Sequence, residues 1–518
     1  MLMKLLMRKL ILGLLTVSIL LSLHIPVFAQ NASQATEISS TSLIVDRSGF
    51  PSPKYLFNNK FWETQVTEDR AHLTLEYKDG IGSLYLSFMN AYGEYTIINN
   101  DSGDTYTAGK DLFIHEFIDL TACFGAAPSS VTISFENGPA QLHELDVFTE
   151  GTVPDSVQKW THPEEGKVDL ILFSSHSDDD QLFFSGLLPY YAVERDYQVL
   201  VIYLTDHYNT APGRRHEVLT GLWAVGVKTY PIFGHYEDFG DATTAEEAFR
   251  KFARYGHSQE EMTNFVVEQL RRFKPMVAVG HDLKGEYGHA QHRAYAKMLT
   301  DAVEISADAA CHPESADQYG TWDVPKTYIH LYKENPIVMD WDQPMENFNG
   351  MTPYQVSKNL GFPAHVSQQK GWGWYYDGKD TAKQIKDYSP CEYGLYRTTV
   401  GPDTGKQDMF ENLTSHAEQL QAIPDAINPE IHPTDVPQTA ETHPHQEETQ
   451  VQEAPTAVPM PPITSEQKSP TESPAADTAP ETTPDGQFYR LMILEIVLVV
   501  LLLVLLILKA RKKKNRRS

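Results

Sequence analysis

The sequence predicts an α/β domain on a mostly parallel sheet, preceded by a β-sandwich and followed by a disordered stalk and one transmembrane helix. Three observations carry this reading. The runs LILF, VLVIYL and MVAVG are continuously apolar, as strands covered on both faces are. The region 42–150 instead carries short alternating runs separated by turn signals, the pattern of an antiparallel sandwich. Beyond residue 413 the composition shifts sharply, first to Pro, Thr, Glu and Ala and then to an apolar stretch.

Taken in order, MLMKLLMRKLILGLLTVSILLSLHIPVFAQ has a basic start, a long apolar run and small residues near Ala29. It reads as a secretory signal peptide over 1–29, with an uncleaved anchor as the alternative. In 42–150, HLTLEY, SLYLSF, YTII, LFIHEFI and VTISF read as strands, and KDGIG, NNDSGD and ENGPA as turns. The close of this region, LHELDVFTEG, resembles the last strand of galactose-binding-like domains. Sugar binding through exposed aromatics and a plain packing role both remain open for it.

The stalk, 414–487, holds thirteen acids against the single Lys468 and little to bury, so it should be extended and disordered. Residues 491–508 are apolar apart from Glu495 and are followed by KARKKKNRRS. That length just spans a bilayer, and the basic tail, 509–518, marks the cytoplasmic side. The expected topology is a single-pass type I protein in the cell membrane with its bulk outside, in a bacterium with a single membrane. The chain carries −27, and both of its ends are basic, so the part between them is more acidic still. Such an exterior repels nucleic acid and suits a neutral glycan better than an anionic polymer.

The α/β region, 167–413, holds the chemistry. VDLILF ends in SSHSDDD, which places His176, Asp178, Asp179 and Asp180 just past the carboxyl end of a strand, where open α/β sheets bind ligands. Imidazole and carboxylate together suit zinc. The plainer reading makes some of these acids the cap and first turn of the next helix, although it leaves His176 unexplained. A second run, MVAVG, opens into HDLKGEYGHAQHRAYAKML, where His289 and His292 stand three apart at the start of a helical pattern. Parallel strands share one carboxyl edge, so both clusters should meet in one crevice.

H-S-D-D-D at 176–180 resembles the H-P-D-D-E signature of the LmbE-like (PIG-L) N-acetylglucosaminyl de-N-acetylases. Y-G-H-A-Q-H at 287–292 resembles the downstream H-P-D-H element of that family, and RRHEVLTGLWAVGV is similar to its intervening R-x-x-E helix. The preceding VLVIYLTDHYN matches its second strand and loop. GFPAHVSQ and EYGLYRTTVGPD extend the likeness towards residue 413. The resemblance implies a Rossmann-like fold and zinc-dependent removal of an N-acetyl group from a glucosamine-containing molecule. Another divalent metal is an alternative to zinc.

It further implies His176, Asp179 and His292 as metal ligands and Asp178 as general base towards water. His289 would protonate the leaving amine or steady the oxyanion, to which Tyr287 would donate a hydrogen bond. Arg214 is a candidate for substrate binding, its alternative being a solvated surface arginine. Asp206, after the second strand, is a candidate to orient a ligand. His365 and Gln368 are candidates to line the pocket, with a buried, hydrogen-bonded His365 as the plainer reading. Trp372–Tyr376 offers a sugar-stacking wall or an ordinary packed loop.

Three positions depart from the family pattern: Ser177 replaces Pro, Asp180 replaces Glu, and Gln291 stands where the family often has Asp. The last removes a charge that would raise the pKa of His289. Two rival readings follow: a hydrolase of the same fold acting on another N-acyl compound, and a non-catalytic glycan-binding surface protein. Cys311 and Cys391 are able to pair outside the cytoplasm, but their spacing does not decide it.

Overall fold

A computed structural model describes residues 33–60, 63–207, 211 and 213–421. The expected signal peptide, transmembrane helix and basic tail, and nearly all of the stalk, lie outside the described residues. Among the described residues no helix is long and apolar enough to cross a membrane.

The N-terminal part is built from β1 (Ile44–Ser48), β2 (Gln65–Val66), β3 (Ala71–Glu76), β4 (Ser83–Phe88), β5 (Tyr95–Asn99), β6 (Thr105–Ala108), β7 (His115–Asp119), β8 (Ser130–Phe135) and β9 (Gln141–Phe148). They form two antiparallel sheets, ordered β1-β3-β8-β5-β6 and β2-β9-β4-β7. Alternation selects the inward face: in β3, Ala71, Leu73 and Leu75 are buried and the residues between them are not. Those side chains share one core with Leu84, Leu86, Ile97, Ile133 and Leu145 from both sheets. β1 and β6 are mostly exposed, so no apolar alternation marks them in the sequence.

The second part is built on β10 (Leu170–Ser174), β11 (Val199–Thr205), β12 (Ile232–Tyr236), β13 (Val277–Gly280), β14 (Lys326–His330), β15 (Pro336–Val338) and β16 (Glu392–Thr398). Their order is β12-β11-β10-β13-β14-β16-β15. The first five pair in parallel. β16 joins β14 and β15 antiparallel, so the sheet is mixed at that edge. β10 and β11 are buried along their whole length, which explains their unbroken apolar runs.

The period of two splits these strands between two cores. Leu170, Leu172, Val199 and Val201 pack with Tyr354, Phe362 and Tyr375 on one face. Ile171, Phe173, Leu200 and Ile202 pack on the other against helices Ala245–Tyr255, Gln259–Phe273 and Ala290–Ile305. Each such side chain contributes roughly 1.5–3 kcal/mol by leaving water. The helix Gln259–Phe273 shows why its ends fall where they do. Ser258 accepts from the Glu261 N–H, Glu260 and Glu261 occupy the first turn, Arg271 and Arg272 the last, and Lys274 closes it in the left-handed region.

β10 lies between β11 and β13, so the chain leaves it to one side and returns on the other. A crevice opens at such a switch, beyond the carboxyl ends of the strands. The two parts of the molecule meet through Phe113 and Ile114, which enter the α/β core, and through His115 Nε2, 2.7 Å from His216 Nδ1. Cys311 and Cys391 are free thiols, as is Cys123, so the possible disulfide is not formed.

Candidate functional site

The segment after β10 is tied down by its backbone. The Ser175 N–H donates to His281 Nε2 at 2.8 Å, and the His176 N–H donates to Asp179 Oδ2 at 2.8 Å. A short helix then runs Asp179–Leu182, but the Asp178 side chain makes no cap bond to it. The Asp178 carboxylate accepts instead from Arg214 Nη2 at 2.6 Å. Helix capping therefore does not account for Asp178. Arg214, whose side chain is only 12% exposed, is not a solvated surface residue.

Three donor atoms converge beside this pair. His176 Nδ1 lies 3.1 Å from Asp179 Oδ2 and 3.1 Å from His292 Nε2, and His292 Nε2 lies 3.2 Å from Asp179 Oδ2. Ligands on a tetrahedral zinc with bonds near 2.05 Å stand about 3.3 Å apart. The trio fits such an ion, and the three residues are buried. His289 groups with His176 and His292, and His281 with Asp179 and His292. His281 is set apart by its bonds: Nε2 accepts from Ser175 and Nδ1 faces Glu286 at 2.8 Å.

The neighbouring cavity, about 130 Å³, is lined by the three-atom cluster's His176 and Asp179 and by Asp178, Arg214, Asp238, Tyr287, His289, Gln368 and Trp372. His289 is the residue before helix Ala290–Ile305 and His292 its third, so one turn presents both rings, 4.8 Å apart. Tyr287 sits at φ +45°, an uncommon backbone state for a tyrosine. Its ring lies between Trp372 and His289, at 5.0 and 5.3 Å.

Charge in the cavity is strongly organised. Burial pushes the Asp178 carboxyl up to about 6, opposed by Arg214 and supported by Asp179. Burial works against ionisation of Asp179 as well, but His292 and His176 outweigh it and hold that carboxyl well below its usual range. The His289 ring is pushed down to about 3, by burial first and then by His176 and His292. Its Nδ1 has no hydrogen-bond partner.

Gln291, the departure from the family pattern, does not face His289. Its Oε1 lies 3.3 Å from His176 Nε2 and accepts from the Phe239 N–H, while its Nε2 donates to the Glu237 carbonyl. It thereby ties the loop after β12 to His176. That loop carries Asp238, whose carboxylate lies 3.4 Å from His176 Nε2 and 3.7 Å from Arg214 Nη1. Asp238 is the acid that sequence reasoning missed, because HYEDFG contains no spacing that marks it.

Two expected residues lie elsewhere. Asp206 stands beside His235, 3.7 Å from its Nδ1, and does not line the cavity. His365 is buried against helix Gly213–Ala224, where a Cβ on Gly221 would come within 2.8 Å of its Nε2. It does not line the cavity, and neither of its ring nitrogens has a hydrogen-bond partner. Its neighbour Gln368 does reach the cavity, as does Trp372 from the helix Gln369–Tyr376.

The family model for PIG-L, GlcNAc-PI de-N-acetylase, matches residues 171–303. A 1D-myo-inositol 2-acetamido-2-deoxy-alpha-D-glucopyranoside deacetylase 2 of Saccharopolyspora erythraea is 37% identical over 202 residues, 35% of this chain and 70% of the relative. The corresponding deacetylase of Rhodococcus jostii is 29% identical over 179 residues, and the match spans 31% of this chain and 60% of that relative. Among solved structures, the N,N'-diacetylchitobiose deacetylase of Pyrococcus horikoshii aligns over 46% of this chain and 86% of its own. Its identity is 16% and its TM-score 0.31, too distant a likeness to carry an inference.

Proposed function

As the chain belongs to the GlcNAc-PI de-N-acetylase (PIG-L) family of deacetylases, we propose that it hydrolyses the N-acetyl group of a glucosamine-containing glycan, releasing acetate and a free amine. The observation that carries this reading is the convergence of His176, Asp179 and His292 within 3.1–3.2 Å beside the Asp178–Arg214 pair. Zinc held by those three residues would polarise the acetyl carbonyl and lower the pKa of water to about 7.

The chain's own residues supply the remainder. Asp178, fixed by Arg214, accepts a proton from the attacking water as the carbonyl carbon gains its new bond to oxygen. His289, whose ring burial keeps neutral, and the Tyr287 hydroxyl line the same cavity and donate hydrogen bonds towards the oxygen that becomes negative. The C–N bond then breaks as the nitrogen takes the proton that Asp178 removed from water, and the nitrogen leaves as an amine. A cavity of about 130 Å³ suits an acetamido group, and the Trp372 ring offers an apolar face to the sugar bearing it.

The signal-like start and the apolar segment 491–508 support an enzyme held outside the cytoplasm on a stalk, as a type I membrane protein. The two N-terminal sheets with their common core support a galactose-binding-like sandwich beside it. Acetate release by the full-length, zinc-supplied protein from N-acetylglucosamine, its oligomers and wall fragments tests the reaction. Release from any of these is expected. A folded, zinc-loaded chain that is inert on them all would shift the assignment to a different N-acyl substrate or to glycan binding alone.

A further inference from the structure

Glu286 is wholly buried, and its carboxylate is the meeting point of three histidine rings from different elements. Oε2 lies 2.8 Å from Nδ1 of His281 and 2.7 Å from Nδ1 of His292. Oε1 lies 2.6 Å from Nδ1 of His330 and accepts from the Asp282 N–H at 3.1 Å. An ionised carboxylate offers about four lone-pair sites, and four donors fill them. The Phe184 ring lies 5.0 Å from His281 and 5.4 Å from His330, so an apolar wall closes the cluster.

In each ring the nitrogen facing Glu286 carries a proton, because an ionised carboxylate only accepts. His281 accepts from the Ser175 N–H at Nε2, so its own proton is on Nδ1, facing Glu286. His292 Nδ1 faces the same acceptor oxygen and carries a proton there, so Nε2, beside Asp179 Oδ2 and His176 Nδ1, is the nitrogen left to lose its proton to a metal. That is the arrangement a metal-ligating imidazole needs. Both ring nitrogens of His330 face oxygen, at Glu286 and at the Ser389 carbonyl 2.9 Å away.

We propose that Glu286 is a positioning residue: its buried carboxylate sets the tautomer and angle of His292 and so makes the His176–Asp179–His292 site competent for zinc. The proposal rests on the metal reading of that trio. It adds a residue to which neither the motif spacing nor the cavity lining points, since Glu286 lies behind the ligand and not in the cavity. An amide at this position gives one acceptor oxygen and one NH₂ group. Whichever way it turns, the NH₂ opposes the Nδ1–H of His281 or the backbone N–H of Asp282, and the charge felt by His292 is lost.

The test is zinc affinity of the full-length protein by chelator competition, with folding followed by circular dichroism. Glu286→Gln should bind zinc 10- to 100-fold more weakly than wild type. His330→Gln, which removes a ring that does not touch the trio, should lower Tm but keep near-wild-type affinity. Equal affinity in Glu286→Gln and wild type overturns the proposal, as does an equal loss in both variants, which would show general loosening. Wild-type protein that binds no zinc overturns the metal reading and this proposal with it. If Glu286→Gln fails to fold, histidine-selective ¹⁵N spectra of zinc-loaded wild type decide: a proton on Nδ1 of His292 is expected, and one on Nε2 overturns the assignment.

Discussion

Asp178 touches Arg214 but is not one of the three converging donors, so base and ligand functions fall on different residues. Substituting Asp178→Asn should therefore leave zinc bound while lowering kcat about 10²- to 10⁴-fold. Turnover at the wild-type rate would remove Asp178 from the reaction. Arg214 explains how a carboxylate so deeply buried stays usable, since burial alone drives its proton affinity up. His176, Asp178, Asp179, His289 and His292 were legible in the sequence because each follows an apolar run at short spacing. Glu286 and Asp238 were not. Glu286 acts through rings contributed from three separate places, and Asp238 reaches the cavity from a loop after a different strand. Asp206 misled for the same reason: its position after β11 suggests the crevice, yet it stands beside His235.

At the scale of elements, the turn joining β13 to helix Ala290–Ile305 carries the greatest burden. Gly285 sits at φ +65°, and a Cβ there would lie 2.3 Å from the His289 carbonyl oxygen. With φ +65° and ψ 132°, an alanine would meet a backbone penalty of about 1–3 kcal/mol before any clash. Gly285→Ala should lower stability by at least that amount in denaturant unfolding and weaken zinc binding, since the turn carries Glu286 and His289 together. Wild-type stability and affinity would show that the turn tolerates displacement. Long apolar strands such as β10 and β11 announced themselves, whereas β1, β2 and β6 did not. Two of these are mostly exposed and β2 is two residues long, so neither burial nor alternation leaves a pattern in the sequence.

At the scale of the molecule, the two parts share a buried histidine contact: Tyr85 OH lies 2.6 Å from His115 Nδ1, and His115 Nε2 lies 2.7 Å from His216 Nδ1. Burial first, and His143 second, push the His115 ring from 6.5 down to about 3. Between those values the unfolded chain binds a proton that the folded chain refuses. Stability from this group is complete above 6.5 and declines as pH falls towards 3, by roughly 1.4 kcal/mol per unit. His115→Gln removes that term, so its Tm should fall less steeply than that of wild type between pH 7 and 5. Identical slopes would show that His115 does not couple the junction to pH. The α/β fold and its crevice were readable from strand order and apolar runs. This junction was not, because His115 and His216 lie a hundred residues apart with no shared motif.

Acetate release from an N-acetylglucosamine-containing substrate, followed in the full-length protein before and after chelation with bound zinc counted, bears most directly on the assigned chemistry. Release should vanish as the metal is withdrawn and return when about one zinc per chain is restored, the content expected if His176, Asp179 and His292 together hold one ion. Undiminished release from metal-free protein would contradict a site in which His176, Asp179 and His292 hold the ion that activates the amide.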